Sequence, residues 1–162
     1  MKLKSVILFL SLILPVLIFL FLRQFGKNEF AVEPLYATTL PDVGEDCSTT
    51  VVLPYHVPDT IRTQLGIQKN GLVVLVFGEL EKDAQHELAR LEGKFTKDEV
   101  TVLPIAVSGK EQFWKDCVFF MKKPTDIALV DYAGTIRGQY ESREREEIDR
   151  LITEATIILK KY

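Results

Sequence analysis

A mixed α/β fold behind one N-terminal apolar helix is what this sequence predicts, on three observations. GLVVLVFG (71–78) is a continuous apolar run between glycines, the pattern of a strand covered on both faces. Leu80, Ala84, Leu88, Leu91 and Phe95 then recur at three- and four-residue steps, which gives a helix with one apolar stripe. Strand-like and helix-like segments keep alternating to the end of the chain. That order calls for a mixed sheet with helices on both faces.

The N-terminus comes first in the chain. From Ser5 to Leu22 eighteen residues carry no charge, bounded by Lys2, Lys4 and Arg23. As a helix that run is roughly 27 Å long, close to the hydrocarbon thickness of a bilayer. It is long for a signal peptide, and Arg23-Gln24-Phe25-Gly26-Lys27 is a poor cleavage site. The expectation is an uncleaved single-pass anchor over 1–24. The short N-terminal tail stays in the cytoplasm, which puts the rest of the chain on the non-cytoplasmic, periplasmic-type side. Residues 25–48 show no sustained period and hold Pro34 and Pro41; they read as a tether. The folded domain is expected over 49–162.

Within it, TTVVLPYHVPD suggests a short edge strand, and Pro58-Asp59 opens a helical turn through Ile61 and Leu65. After the first buried strand and its helix, VTVLPIAV (100–107) is a second strand with Pro104 as an anomaly. A short helix covers Glu111 to Asp116. IALVD (127–131) and TIRGQY (135–140) form a hairpin with Gly134 in its turn. In the last helix Ile148, Leu151, Ile152, Ala155, Ile158 and Leu159 share one face. Strand, helix, strand, helix, strand, strand, helix is the plan of the thioredoxin fold.

Charge excludes one class of partner. The net charge is −3, and residues 1–24 contribute +3 through Lys2, Lys4 and Arg23, so the remainder carries 17 basic against 23 acidic residues, or −6. With no basic, aromatic-interleaved cluster, nucleic acid is not expected to bind. Cys47 and Cys117 belong to no CxxC or CxxxC. In an oxidising compartment they could pair; otherwise they are two thiols, one in the tether.

Three features resemble the Sco/SenC family, membrane-anchored thioredoxin-like proteins associated with copper delivery to cytochrome c oxidase. Residues 129–159 carry the matching Leu129-Val130-Asp131, Gly134, Ile136-Arg137-Gly138, Tyr140 and Glu146-Glu147-Ile148-Asp149-Arg150-Leu151. Tyr55-His56-Val57-Pro58-Asp59 is loosely similar to the opening of the family's domain. The third is the plan of anchor, tether and domain. The resemblance implies a CxxxC at the first strand-helix junction and a histidine before the later strand. Those positions fall near Phe77, Glu81 and Lys123. None suits copper, which favours thiolate and imidazole, so no copper or other cofactor is expected. Lys123-Pro124-Thr125 is similar to the proline-threonine pair of general thioredoxins, which makes Pro124 a candidate cis-proline beside the degenerate site. A cis-proline there leaves a backbone edge suited to an extended peptide.

The remaining candidates have simpler readings. His86 is a solvated helix residue; Glu79, Glu81 and Asp83 complement the positive end of the helix dipole. The run Glu141 to Arg150 is a solvated helix start, and Phe113-Trp114 with Phe119-Phe120-Met121 is core. The function expected is a non-catalytic, Sco/SenC-like accessory in respiratory oxidase assembly, binding an oxidase subunit or another assembly factor. Two alternatives stand beside it. One is a copper carrier or thiol oxidoreductase using Cys47, Cys117 and His56; the other is a general envelope thioredoxin-like binding module.

Overall fold

The apolar run at residues 72–77 is the centre of the molecule in the computed structural model. That model describes residues 3–25, 31–39, 43, 47, 51–67, 70–106 and 109–161. Strand β1 (Leu72–Phe77) is buried along its whole length. Its neighbours are β2 (Val100–Ile105), β3 (Ile127–Val130) and β4 (Ile136–Tyr140), in the sheet order β2-β1-β3-β4. β2 runs parallel to β1, whereas β3 is antiparallel to β1 and β4 antiparallel to β3. The protein is therefore mixed α/β.

Alternation along β1 builds two cores. Val73, Leu75 and Phe77 point to one face, and Leu72, Val74 and Val76 to the other. The second face is covered by helices α3 (Lys82–Lys94), through Leu88 and Leu91, and α5 (Arg145–Lys161), through Ile148, Leu151, Ala155 and Ile158. The first face takes Leu65, which follows helix α2 (Asp59–Gln64). It also takes Trp114 of helix α4 (Gly109–Cys117) and residues 118–121. Helices on both faces are what the alternating pattern called for.

Pro104 finds its reason in the ladder. The Leu72 N–H donates to the Glu99 carbonyl and the Gly78 N–H to the Ile105 carbonyl. Odd-numbered β2 residues thus turn their polar groups to β1, and even-numbered ones turn them outward. Among the described residues β2 is the last strand on its side, so the N–H that Pro104 lacks would have faced away from β1. Proline there costs no ladder bond and blunts the edge.

The β3–β4 turn is held by Asp131. Its Oδ1 accepts from the Ala133 N–H (2.9 Å) and the Thr135 N–H (2.8 Å), and its Oδ2 accepts from Arg137 Nε at 2.8 Å. Gly134 has φ +82°, and an added Cβ would lie 2.8 Å from the Arg62 side chain and 3.2 Å from the Val57 carbonyl. Register slips between Leu129 and Val130, which pair with Gly138 and Ile136. That bulge sends Ile136 to the first core and Tyr140 to the second.

Three expectations change. Residues 51–58 form no strand, because their backbone bonds go singly to separate partners: Tyr55 N–H to Tyr36 and Val57 N–H to Gly134. The expected tether packs onto the domain from Ala31. Met1–Phe30 and Ala31–Tyr162 are the two compact units, and Leu35, Tyr36, Val43 and Val51 lie against the first core. Phe113 is 44% exposed, unlike the buried Phe119, Phe120 and Met121.

The first unit contains helix α1 (Leu3–Phe25), 23 residues with Pro15 inside. Leu12, Leu14, Phe19 and Phe21 are among its exposed side chains. Among the described residues no helix is long and apolar enough to cross a membrane; in α1 the described side chains are those of 11–21, 23 and 24.

Candidate functional site

The carboxyl end of β1 is the place where a crossover fold of this kind exposes loops from several strands. Phe77 ends the strand. Its N–H donates to the Asp126 carbonyl at 2.8 Å, which joins the junction to the loop preceding β3. That loop is closed on itself, since the Thr125 N–H and Oγ1 both donate to the Lys122 carbonyl, at 2.9 and 2.6 Å. It is fixed from behind by Asp126, whose carboxylate accepts from the Ser142 N–H (2.7 Å) and hydroxyl (2.6 Å). The Lys123–Pro124 peptide bond within it is cis. So the backbones of Phe77 and of the Lys123-Pro124 loop are brought together.

Their side chains do different things. The Phe77 ring turns inward, 4% exposed, with its centroid 5.3 Å from that of Phe119. The phenyl group fills the core there. Glu81 stands at the N-cap of α3 without making a side-chain cap bond. Its Oε1 accepts instead from Arg143 Nη2 at 2.7 Å. Both partners are more than 60% exposed, so the pair contributes at most about 1 kcal/mol. Lys123 and Pro124 are exposed. The result is a mixed-charge surface on which the described side chains at these three positions are a phenyl, a carboxylate and an ammonium. A phenyl, one carboxylate and an ammonium do not fit copper.

The other candidates lie elsewhere. Cys47 and Cys117 are joined by a disulfide, with Cα atoms 5.4 Å apart. Cys117 closes α4 at its carbonyl end. His56 is exposed, with Nδ1 3.2 Å from Thr135 Oγ1, and His86 is solvated on α3. No group of three or more His, Cys, Asp or Glu side chains able to hold a metal ion occurs among the described residues.

A cavity of about 240 Å³ opens at the far end of the strands, between Leu72, Asp131, Tyr132, Arg137 and Ile158. Asp98, Glu99, Asp131 and Arg137 are polar residues of its wall, and both carboxylate oxygens of Asp131 are already engaged.

Sequence reasoning missed the aromatic clamp beside the site. Tyr36 and Tyr55 pack edge-on against Phe120, with centroids at 5.4 and 4.9 Å. The Tyr55 hydroxyl donates to the Val118 carbonyl at 2.9 Å, and burial pushes its phenol up to about 12. Burial likewise raises the Tyr36 phenol. Tyr36 (φ +59°) and Phe120 (φ +51°) are both left-handed, at roughly 1–2 kcal/mol each for a residue with a Cβ. Nothing in the local pattern signals two such residues 84 positions apart. Comparison of the chain with family models, with curated proteins and with solved structures finds no match.

Proposed function

We propose that this chain is a membrane-anchored, non-catalytic protein of thioredoxin-like fold. In this reading it resembles the Sco/SenC family and assists assembly of a respiratory oxidase by binding a protein partner at the degenerate junction. The observation that carries the reading is Phe77. The junction keeps its strand, its helix and its neighbouring cis-proline loop, while the ring that takes the ligand position is packed into the core. The sheet order β2-β1-β3-β4, with β1 and β2 parallel and the hairpin antiparallel, supports the fold assignment.

Two further observations support the placement. Helix α1 is apolar around its circumference, and such a helix needs apolar surroundings. A disulfide joins Cys47 to Cys117, which suits an oxidising compartment and so a domain outside the cytoplasm.

The alternative, a copper carrier built on Cys47, Cys117 and His56, is separated by stoichiometry. The purified full-length protein is titrated with Cu(I) under reducing conditions. The proposal expects no tight equivalent; one-to-one binding lost on Cys47→Ser overturns it. Co-purification then distinguishes an oxidase accessory from a general envelope binding module. Oxidase subunits retained by the wild-type chain, and lost on Lys123→Glu, support the first; their absence sinks it.

A further inference from the structure

The disulfide and the candidate site are joined by a short, continuous piece of chain. Cys117 is the last residue of α4, and residues 118–121 run from it directly into the Lys122–Asp126 loop. Those four residues are held from one side by the N-terminal strap, described over 31–39, 43, 47 and 51–57. Tyr55 donates to the Val118 carbonyl, Tyr36 donates to the Phe120 carbonyl at 3.4 Å, and both rings flank Phe120. Gln139 Nε2 adds a bond to the Phe119 carbonyl at 2.6 Å. Among the described residues, backbone bonds tie the strap to the body at Leu35 N–H to Ile136 and Val57 N–H to Gly134, and Tyr55 N–H to Tyr36 ties the strap to itself. Its covalent tie to the same region is Cys47–Cys117.

We propose that Cys47–Cys117 is a redox latch. Closed, it holds the strap against residues 118–121 and thereby fixes the loop that carries Lys123 and Pro124. Opened, it releases the strap and loosens that loop while the sheet stays folded. The two left-handed residues, Tyr36 and Phe120, face each other across this contact. Such backbone persists only where the surroundings hold it, so loss of the tie relaxes both sides together.

The chemistry of opening balances with a dithiol as reductant. One thiolate of the dithiol attacks Sγ of the half-buried Cys47, since Cys117 is only 4% exposed. The Cys47–Cys117 bond breaks, and Cys117 leaves as a thiolate that takes a proton. The second thiol of the donor then attacks the mixed disulfide, releasing Cys47, which is protonated in turn. Two electrons and two protons pass to the protein, and the donor departs as its own disulfide.

Hydrogen exchange read by mass spectrometry on the full-length chain tests the latch, with the oxidised protein compared against the same protein treated with dithiothreitol. At labelling times of seconds to minutes, exchange in 31–39, 51–57 and 118–126 is expected to rise at least about tenfold. Peptides from β1, β3 and α5 are expected to keep their protection. The Cys47→Ser/Cys117→Ala chain gives the same comparison without reductant; should it not fold, reduction of the wild-type chain carries the test alone. Tyr55→Phe, with the disulfide intact, is expected to give a smaller rise confined to 118–126. Unchanged exchange in 118–126 after the bond is broken overturns the proposal. So does equal loss of protection throughout the domain, or a disulfide that the dithiol reduces only after denaturation. The link from latch to partner rests on the docking function proposed above, whereas the exchange measurement needs no partner. Failure to co-purify a partner in either redox state therefore removes the docking reading and leaves the latch standing.

Discussion

Gly138 and Tyr140 explain each other. A Cβ on Gly138 would lie 2.1 Å from the Tyr140 hydroxyl and 2.5 Å from Cζ, so the ring of the fully buried tyrosine lies where a side chain would go. The hydroxyl donates to Glu154 Oε2 at 2.5 Å, and burial together with that carboxylate holds the phenol well above its ordinary range. Gly138→Ala is therefore expected to cost about 1–3 kcal/mol, read from the denaturant midpoint. Together with Tyr140→Ala the loss should fall short of the sum of the two single losses. Tyr55 gives a pH signature. Its phenol ionises at about 12 in the folded chain against an ordinary 10.0, so the neutral form is favoured by folding. That contribution, roughly 2–3 kcal/mol at about 1.4 kcal/mol per pH unit, is fully present below pH 10. It is lost as the pH rises from 10 toward 12, and denaturant midpoints measured across pH 9–12 should show the fall. A flat profile would count against a buried Tyr55. At this scale the residues that carried the family resemblance prove to be builders of the fold. Asp131 and Gly134 shape a turn, Arg137 pairs with Asp131, and Gly138 makes room for Tyr140. They were legible because each has one local geometric duty. The same fact explains why they speak for the scaffold and are silent about a partner.

The elements with strong periods were the readable ones. α3 and α5 each bury one regular set of side chains and are placed by period, whereas β1, buried on both faces, is placed by its continuous apolar run. Pro104 looked like an error within a strand until the hydrogen-bond parity placed its missing donor on the outer edge of β2. Pro104→Val restores that donor to an edge with no strand partner among the described residues. The expected outcome is a melting temperature within a degree or two of wild type, with faster self-association in light scattering on warming. A loss of several degrees would mean that the proline packs against something the strand needs. The hairpin was placed correctly, but its bulge was not legible, since a one-residue slip leaves composition untouched. At the candidate site the strand, the helix and the loop were legible as elements. The inward turn of the Phe77 ring was not, because a strand end can face either core or solvent.

Across the whole molecule, the strap was the least visible part. Its core contributions, Leu35, Tyr36, Val43, Val51, Tyr55 and Val57, follow no period, so residues 25–48 passed for a linker. Each contact is made with a partner distant in sequence, and only the assembled sheet supplies those partners. A chain cut to begin at 49 would lose Leu35 and Tyr36 and the disulfide, and uncover Phe120. It is expected to aggregate or to bind hydrophobic dyes. One cut to begin at Ala31 should melt cooperatively, and circular dichroism compares the two directly; equal melting of both would show that the strap adds nothing. The strap also decides how this protein can be recombined. A junction made upstream of residue 31 keeps every described core residue of the second unit in one piece. A fusion joined at residue 49 splits a packed interior between two genes. The segment that travels as one heritable module is 31–162, and the stretch that looks most like an interchangeable spacer is the one that cannot be traded.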